Sequence, residues 1–143
     1  MPTTPQSPVI AVGILINDGK VLLCHRSPSR ECYPNVWDFP GGHVEVNETP
    51  AFGLVRELGE ELGILIDPPE RPCWARISAG EFDLRFWLVT EWVGTPTNVE
   101  VSEHDEIGWF SESNALDLRL AHAAYPALIS TALRLAEGTR HSR

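Results

Sequence analysis

No run of apolar residues in this 143-residue chain approaches the roughly 18 needed to cross a bilayer. A membrane-spanning helix and a membrane partner are therefore not expected. The first eight residues have no basic cluster. They are rich in Pro, Thr and Ser and read as a loose tail, not a secretory signal. Cysteine is scarce. Cys24, Cys32 and Cys73 are odd in number and lack metal-ligand spacing, which argues against a disulfide framework or a zinc site. They suit incidental thiols in a reducing cytoplasm, the expected location. Basic residues are also few: 11 Lys and Arg stand against 20 Asp and Glu, a net charge of −9. Affinity for a nucleic-acid polymer rests on clustered Lys and Arg, so no such partner is expected. A small phosphorylated ligand stays open, because it can arrive with a cation that reverses the local field. Neither an internal repeat nor a domain boundary is visible. The organisation expected is a tail over 1–8, one domain over 9–137 and a frayed end over 138–143, long enough to bury a substantial core.

Val9 to Ile16 is a continuous apolar run, and Val21 to Cys24 follows it across Asn17-Asp18-Gly19. Asp-Gly between two apolar runs predicts a hairpin. The stretch 27–35 is polar, holds Pro28 and Pro34, and reads as an exposed loop. Val36 to Phe39 alternates and stops at Pro40-Gly41-Gly42. Thr49 then suits a helix N-cap, and Pro50 suits the first helical position, where its missing N–H costs nothing. Ala51, Leu54, Val55, Leu58 and Leu62 form an apolar stripe at helical spacing, and Gly63 is placed to end the helix. Gly53 weakens that helix by about 1 kcal/mol relative to Ala, and close approach to a sheet is the expected return. Ile64 to Ile66 reads as a short strand, Trp74 to Ala79 and Phe82 to Trp92 as two long ones, and Ile107 to Phe110 as another. Ala121 to Ala136 reads as an amphipathic helix, fraying from Glu137. Strands dominate, with one central and one terminal helix. The fold class expected is α/β, a mixed sheet covered by helices on both sides.

Gly42 to Ile64 reads G-H-V-E-V-N-E-T-P-A-F-G-L-V-R-E-L-G-E-E-L-G-I. At about 100° per residue, Glu57, Glu60 and Glu61 share one sector of the helix, about a third of a turn from the apolar stripe. The helix can thus pack on a sheet and present three carboxylates to a cleft. Such hard oxygen ligands suit Mg2+, with Mn2+ as the alternative. Without a cation they repel one another, which raises some of their pKa values. Those three residues alone also fit a solvated acidic face, and Arg56 alone fits a surface i,i+4 pair with Glu60. Pro40-Gly41-Gly42 leaves backbone bare for a cation, although loop geometry also explains two glycines.

The stretch resembles the Nudix box, G-x5-E-x7-R-E-U-x-E-E-x-G-U with U aliphatic. Gly42, Glu48, Arg56, Glu57, Leu58, Glu60, Glu61, Gly63 and Ile64 are all in register. The resemblance implies an α-β-α sandwich and a Mg2+-dependent hydrolase of a nucleoside diphosphate linked to another group. It implies that the Gly42 carbonyl, Glu57, Glu60 and Glu61 hold metal, that Arg56 orients the adjacent glutamate, and that Glu48 acts at the edge of the site through water. Glu57 is the expected base in attack of water on phosphorus. Glu103 and Glu106 are second candidates, as base or extra metal ligand, against the reading of an acidic surface loop.

Trp37-Asp38-Phe39-Pro40-Gly41-Gly42 is similar to the start of the box in MutT-type members. Arg26 sits where several of these enzymes set an arginine against substrate phosphates, and Arg30 is a weaker candidate. Trp37, Trp74, Phe82 and Trp109 are candidates to stack on a base. Markers of NADH, ADP-ribose and dinucleoside-polyphosphate enzymes are absent. The asparagine that oxidised-guanine enzymes set near the final helix is replaced by Ala121-His122-Ala123. By elimination the expected substrate is a nucleoside triphosphate, oxidised or not, cleaved to monophosphate and pyrophosphate. The alternatives are an ADP-ribose or nucleotide-sugar pyrophosphatase, a non-catalytic nucleotide sensor, and an RNA-decapping enzyme that the acidic balance disfavours. Family members are often homodimers.

Overall fold

The computed structural model describes residues 7–31 and 33–141, with backbone only for 138–141. Most of the expected N-terminal tail, Cys32 and the last two residues lie outside the described residues. Ten elements follow in order: β1 (Val9–Asn17), β2 (Lys20–Arg26), β3 (Trp37–Asp38), β4 (Gly41–His43), α1 (Pro50–Leu62), β5 (Ala75–Ala79), β6 (Phe82–Val89), β7 (His104–Phe110), α2 (Glu112–Leu116) and α3 (Tyr125–His141).

The strand β1 is the spine. Along one edge it pairs in parallel with β6 from Val9 to Leu15, and β5 adds antiparallel to β6. Its other edge is divided. Residues Ile10 to Val12 pair with β4, whereas Ile16 and Asn17 pair with β2 across the Asp18-Gly19 turn. Both turn residues have positive φ, 53° and 72°, the mirror-image geometry that two-residue hairpins favour. Past Val21, β2 leaves β1 and pairs on that edge with β3, while β7 runs along its opposite edge from Val21 to Arg26. The mixed sheet therefore forks, and a cleft opens in the fork.

Alternation along β1 distributes two cores. Val12, Ile14 and Ile16 join Phe39, Phe86, Ile129 and Ala132 beneath α3. Ala11 and Leu15 join Leu54, Leu58, Leu62 and Trp87 beneath α1. Helices thus cover both faces of a mixed sheet, as expected. The α1 start is fixed by Thr49, whose hydroxyl accepts from the Phe52 N–H at 3.2 Å. Gly63 ends it in the left-handed region at φ 70°, its N–H donating to the Gly59 carbonyl.

Several boundaries differ from expectation. The Gly41–His43 segment is a strand, not a loop, and α2 was not anticipated. Ile64 to Ile66 reduces to one bridge between Leu65 and Val93. β6 stops at Val89, and β7 begins three residues early, at His104. α3 begins at Tyr125 and not Ala121, because Pro126 lacks an N–H and fits only a first turn. Its helical backbone continues to His141, past the fraying expected from Glu137, since no proline follows to interrupt it.

Candidate active site

The site is built where α1 lies against β4. Gly41 adopts φ 151°, and a Cβ there would overlap the Ala11 carbonyl of β1. A Cβ at Gly42 would overlap the Glu57 carboxylate. The two glycines thus let acidic side chains of the helix rest on strand backbone. The Gly41 N–H also donates to Glu61 Oε2 at 2.9 Å. Gly53 does not serve close approach to the sheet: a Cβ there would press on Glu48 Oε1 at 3.0 Å and on Val44.

Arg56 organises this array. Its Nη2 donates to Glu48 Oε1 at 2.7 Å and to the His43 carbonyl at 2.9 Å. Its Nε donates to Glu48 Oε2 at 3.1 Å. Its Nη1 donates to Glu57 Oε1 at 2.9 Å and Glu60 Oε2 at 3.2 Å. A planar guanidinium with five donors can hold three carboxylates in fixed relative orientation, which an ammonium cannot. These bonds, Glu48 first, push the Arg56 pKa up further.

A cavity of about 310 Å³ opens beside the array. Its charged and polar lining includes Glu57, Glu61, Glu103, His104, Arg26 and Arg30. Its apolar and aromatic lining includes Phe39, Phe82, Leu84 and Tyr125. Glu61 is only 3% exposed. Burial first, then the charges of Glu57, Glu103 and Asp38, push its pKa well up against the Gly41 hydrogen bond. Burial likewise raises Glu57, with Arg56 opposing. Burial lowers His104 to about 4, with Arg30 and Arg26 adding to it, so its imidazole is neutral at pH 7. Asp38 also lines the cavity; its Oδ1 accepts from the Tyr125 hydroxyl and the Phe39 N–H, both at 2.8 Å.

The expected site residues divide accordingly. Gly42, Glu57 and Glu61 line the cavity, whereas Glu60 does not: it is half-exposed and held by Arg56. Glu48 is engaged by Arg56 and by the Glu45 N–H, so its role in this geometry is to hold the arginine. Glu103 lines the cavity as well. Glu106 does not: it is exposed on β7 opposite His25. The β2–β7 register slips between His25 and Arg26, which leaves Asp105 unopposed and resets the alternation, so His104 faces inward while Glu106 faces out. Arg26 lines the cavity, with Nε on the Tyr33 carbonyl at 2.9 Å and Nη1 at 3.6 Å from Asp38.

Trp37 is a correction. It does not line the cavity, because β3 alternates and Asp38 takes that face. Its ring packs on His25 and Phe110, each at 5.0 Å between centroids. Trp109 also turns away, stacked on Trp92 at 5.9 Å, whereas Phe82 of the four aromatic candidates does line the cavity. The sequence reading missed Asp38, His104 and Tyr125. Asp38 was signalled by strand alternation beside Trp37. His104, one histidine inside an acidic run, was a weaker signal.

Oxygen-rich, crowded and partly buried acidic groups with raised pKa values fit a divalent cation better than they fit one another. Comparisons with known proteins agree. The sequence profile of the NUDIX domain matches residues 7–130. The chain is 36% identical over 121 residues to the CTP pyrophosphohydrolase of Escherichia coli (strain K12), covering 83% of this chain and 87% of that protein. It is 38% identical over 96 residues to the 8-oxo-dGTP diphosphatase of the same organism, covering 64% and 72%. It superposes on the crystal structure of a MutT NUDIX hydrolase from Burkholderia pseudomallei with a TM-score of 0.72 at 29% identity, covering 91% and 98% of the two chains. This chain therefore belongs to the Nudix family. It is a hydrolase of phosphorus-containing anhydrides, a class that uses a divalent metal. No helix among the described residues is long and apolar enough to cross a membrane.

Proposed function

We propose that this protein hydrolyses a nucleoside triphosphate to the monophosphate and pyrophosphate. The observation that carries the reading is the shared cavity, lined both by Arg56-ordered carboxylates and by aromatic and apolar side chains. That mixed lining suits a ligand that carries both charged groups and a flat, weakly polar part. The relatives named for CTP and 8-oxo-dGTP also support a triphosphate. The absence of markers for other linkages, noted above, adds to it.

In this reading Arg26 and Arg30 bind the phosphates, with charge and hydrogen bonds. Phe82, Leu84 and Phe39 flank the base. The Gly42 carbonyl, Glu57, Glu60 and Glu61 would hold Mg2+, or Mn2+ in its stead. When bound, such an ion neutralises charge developing on the phosphates and makes water a better nucleophile. Glu57 takes the proton from the attacking water. The bond from Arg56 Nη1 fixes the orientation of its carboxylate. Arg56 and Glu48 are positioning residues.

Turnover of a nucleotide panel, read as monophosphate and pyrophosphate release with Mg2+ or Mn2+, tests this. Glu57→Gln is expected to cost about 10²–10⁴-fold in kcat, the scale of one general base. Glu60→Gln is expected to fall as well. Unchanged turnover in both variants discards the proposed site. Release of other products from ADP-ribose or a nucleotide sugar, at higher kcat/KM, discards the triphosphate assignment alone.

A further inference from the structure

We propose that His104 is a nitrogen ligand of a divalent cation held jointly with Glu61 and Glu103, and that this mixed donor set selects Mn2+ over Mg2+. The inference rests on the hydrolase reading above but concerns a residue that reading leaves unused.

Glu61, Glu103 and His104 each offer one donor atom, and the three atoms lie within 4.8 Å of one another. Donor atoms around one six-coordinate ion of this size lie about 3–4 Å apart, so small side-chain rotations close the set. The second observation is independent of the acidic groups. His104 is only 4% exposed, lines the cavity, and its ring makes no hydrogen bond among the described residues. Its ring nitrogens are not among the fully buried atoms, so they open onto the cavity and are available to a ligand there.

The backbone around His104 is pinned. Its N–H donates to the Glu100 carbonyl at 3.0 Å, and its carbonyl accepts from Asn98 Nδ2 at 2.7 Å. The slip in the β2–β7 register next to it turns the ring inward. The ring is therefore presented to the carboxylates by two hydrogen bonds and a bulge, not by chance packing. Nearby positive charge is already committed in part. Arg26 bonds the Tyr33 carbonyl, and Arg30 Nη1 reaches the Glu103 carbonyl at 3.4 Å. An imidazole with two carboxylates is a donor set that Mn2+ accepts readily, whereas Mg2+ favours oxygen alone.

The test is pulsed electron paramagnetic resonance on the full chain loaded with Mn2+ and no nucleotide. Nitrogen modulation from a directly bound imidazole is expected. It should convert to the ¹⁵N pattern in protein grown with [¹⁵N]histidine, a measurement that needs no variant. It should vanish in His104→Gln and persist in His43→Gln and His122→Gln, the other two histidines that line the cavity. Mn2+ affinity should fall about 10-fold or more in His104→Gln, and Mg2+ affinity by less than about threefold. A wild-type spectrum without nitrogen coupling overturns the proposal, as does coupling that survives in His104→Gln. Hydrolysis that depends on Glu57 without nitrogen coupling keeps the enzyme and discards this ligand. Nitrogen coupling without hydrolysis of any nucleotide keeps the ligand and discards the activity.

Discussion

Asp38 carries a carboxylate that three donors face: the Phe39 N–H, the Tyr125 hydroxyl and, at 3.6 Å, the Arg26 guanidinium. Burial nevertheless outweighs them and raises its pKa. The sign follows. A carboxyl whose folded pKa lies above its unfolded value contributes stability below the unfolded pKa, and that contribution is lost as pH rises through the folded pKa. Asp38→Asn keeps an acceptor for Tyr125 and removes the charge. Its melting temperature is expected to exceed that of the wild type at pH 8, with the gap narrowing toward pH 4. A gap that widens on acidification contradicts this. At this scale the box was legible, since Arg56, Glu57 and Glu61 stand at fixed spacing on one helix. Asp38 was not, because its meaning depends on a partner 87 residues away. Trp37 was misassigned because an aromatic beside the glycines draws attention, whereas alternation gives the cavity to its neighbour. Glu106 was paired with Glu103 by proximity, and the bulge between them separates their fates.

Among the elements, α1 decides whether the acidic array exists at all. Its start rests on one local hydrogen bond, from the Phe52 N–H to the Thr49 hydroxyl. Thr49→Ala is expected to cost about 1 kcal/mol, or about 2–4 °C in Tm. Circular dichroism melting checks this, and an unchanged Tm would show that packing alone fixes the helix start. α1 was fully legible because its cap, its proline and its stripe are all local signals. β4 was hidden because glycine is depleted in strands, so Gly41-Gly42 reads as a turn. It is a strand only because β1 offers an open edge and tolerates no side chain there. α2 is five residues long, too short for apolar periodicity to register, though Ser111 caps it by accepting from the Asn114 N–H. The start of α3 was recoverable from Pro126, a signal outweighed by the apolar spacing downstream.

The whole molecule carries a net charge of −9, and part of that charge is concentrated around one cavity. Burial of Glu57 and Glu61, with neighbouring carboxylates adding to it, disfavours their charged forms near neutral pH, and a bound cation would relieve this. Any ligand of the folded state alone stabilises it by mass action. At a hundredfold excess over Kd, Mg2+ or Mn2+ is expected to raise Tm by about 5–10 °C at pH 7.5, and chelation should reverse the shift. Differential scanning fluorimetry checks it, and no shift at any concentration would count against a cation site. The α/β class was legible from the order of runs. The sheet order was not: β1 pairs in parallel with β6, which lies far along the chain, and no local pattern encodes such a partner.

β4 and β2 share one edge of β1 in succession, and between them the Gly13 N–H donates to the Pro40 carbonyl at 2.9 Å. The depth of the opening is therefore written into the main chain, at the point where β2 departs. Side chains on its walls can be exchanged, widening or narrowing the room between them, while the backbone floor keeps its level.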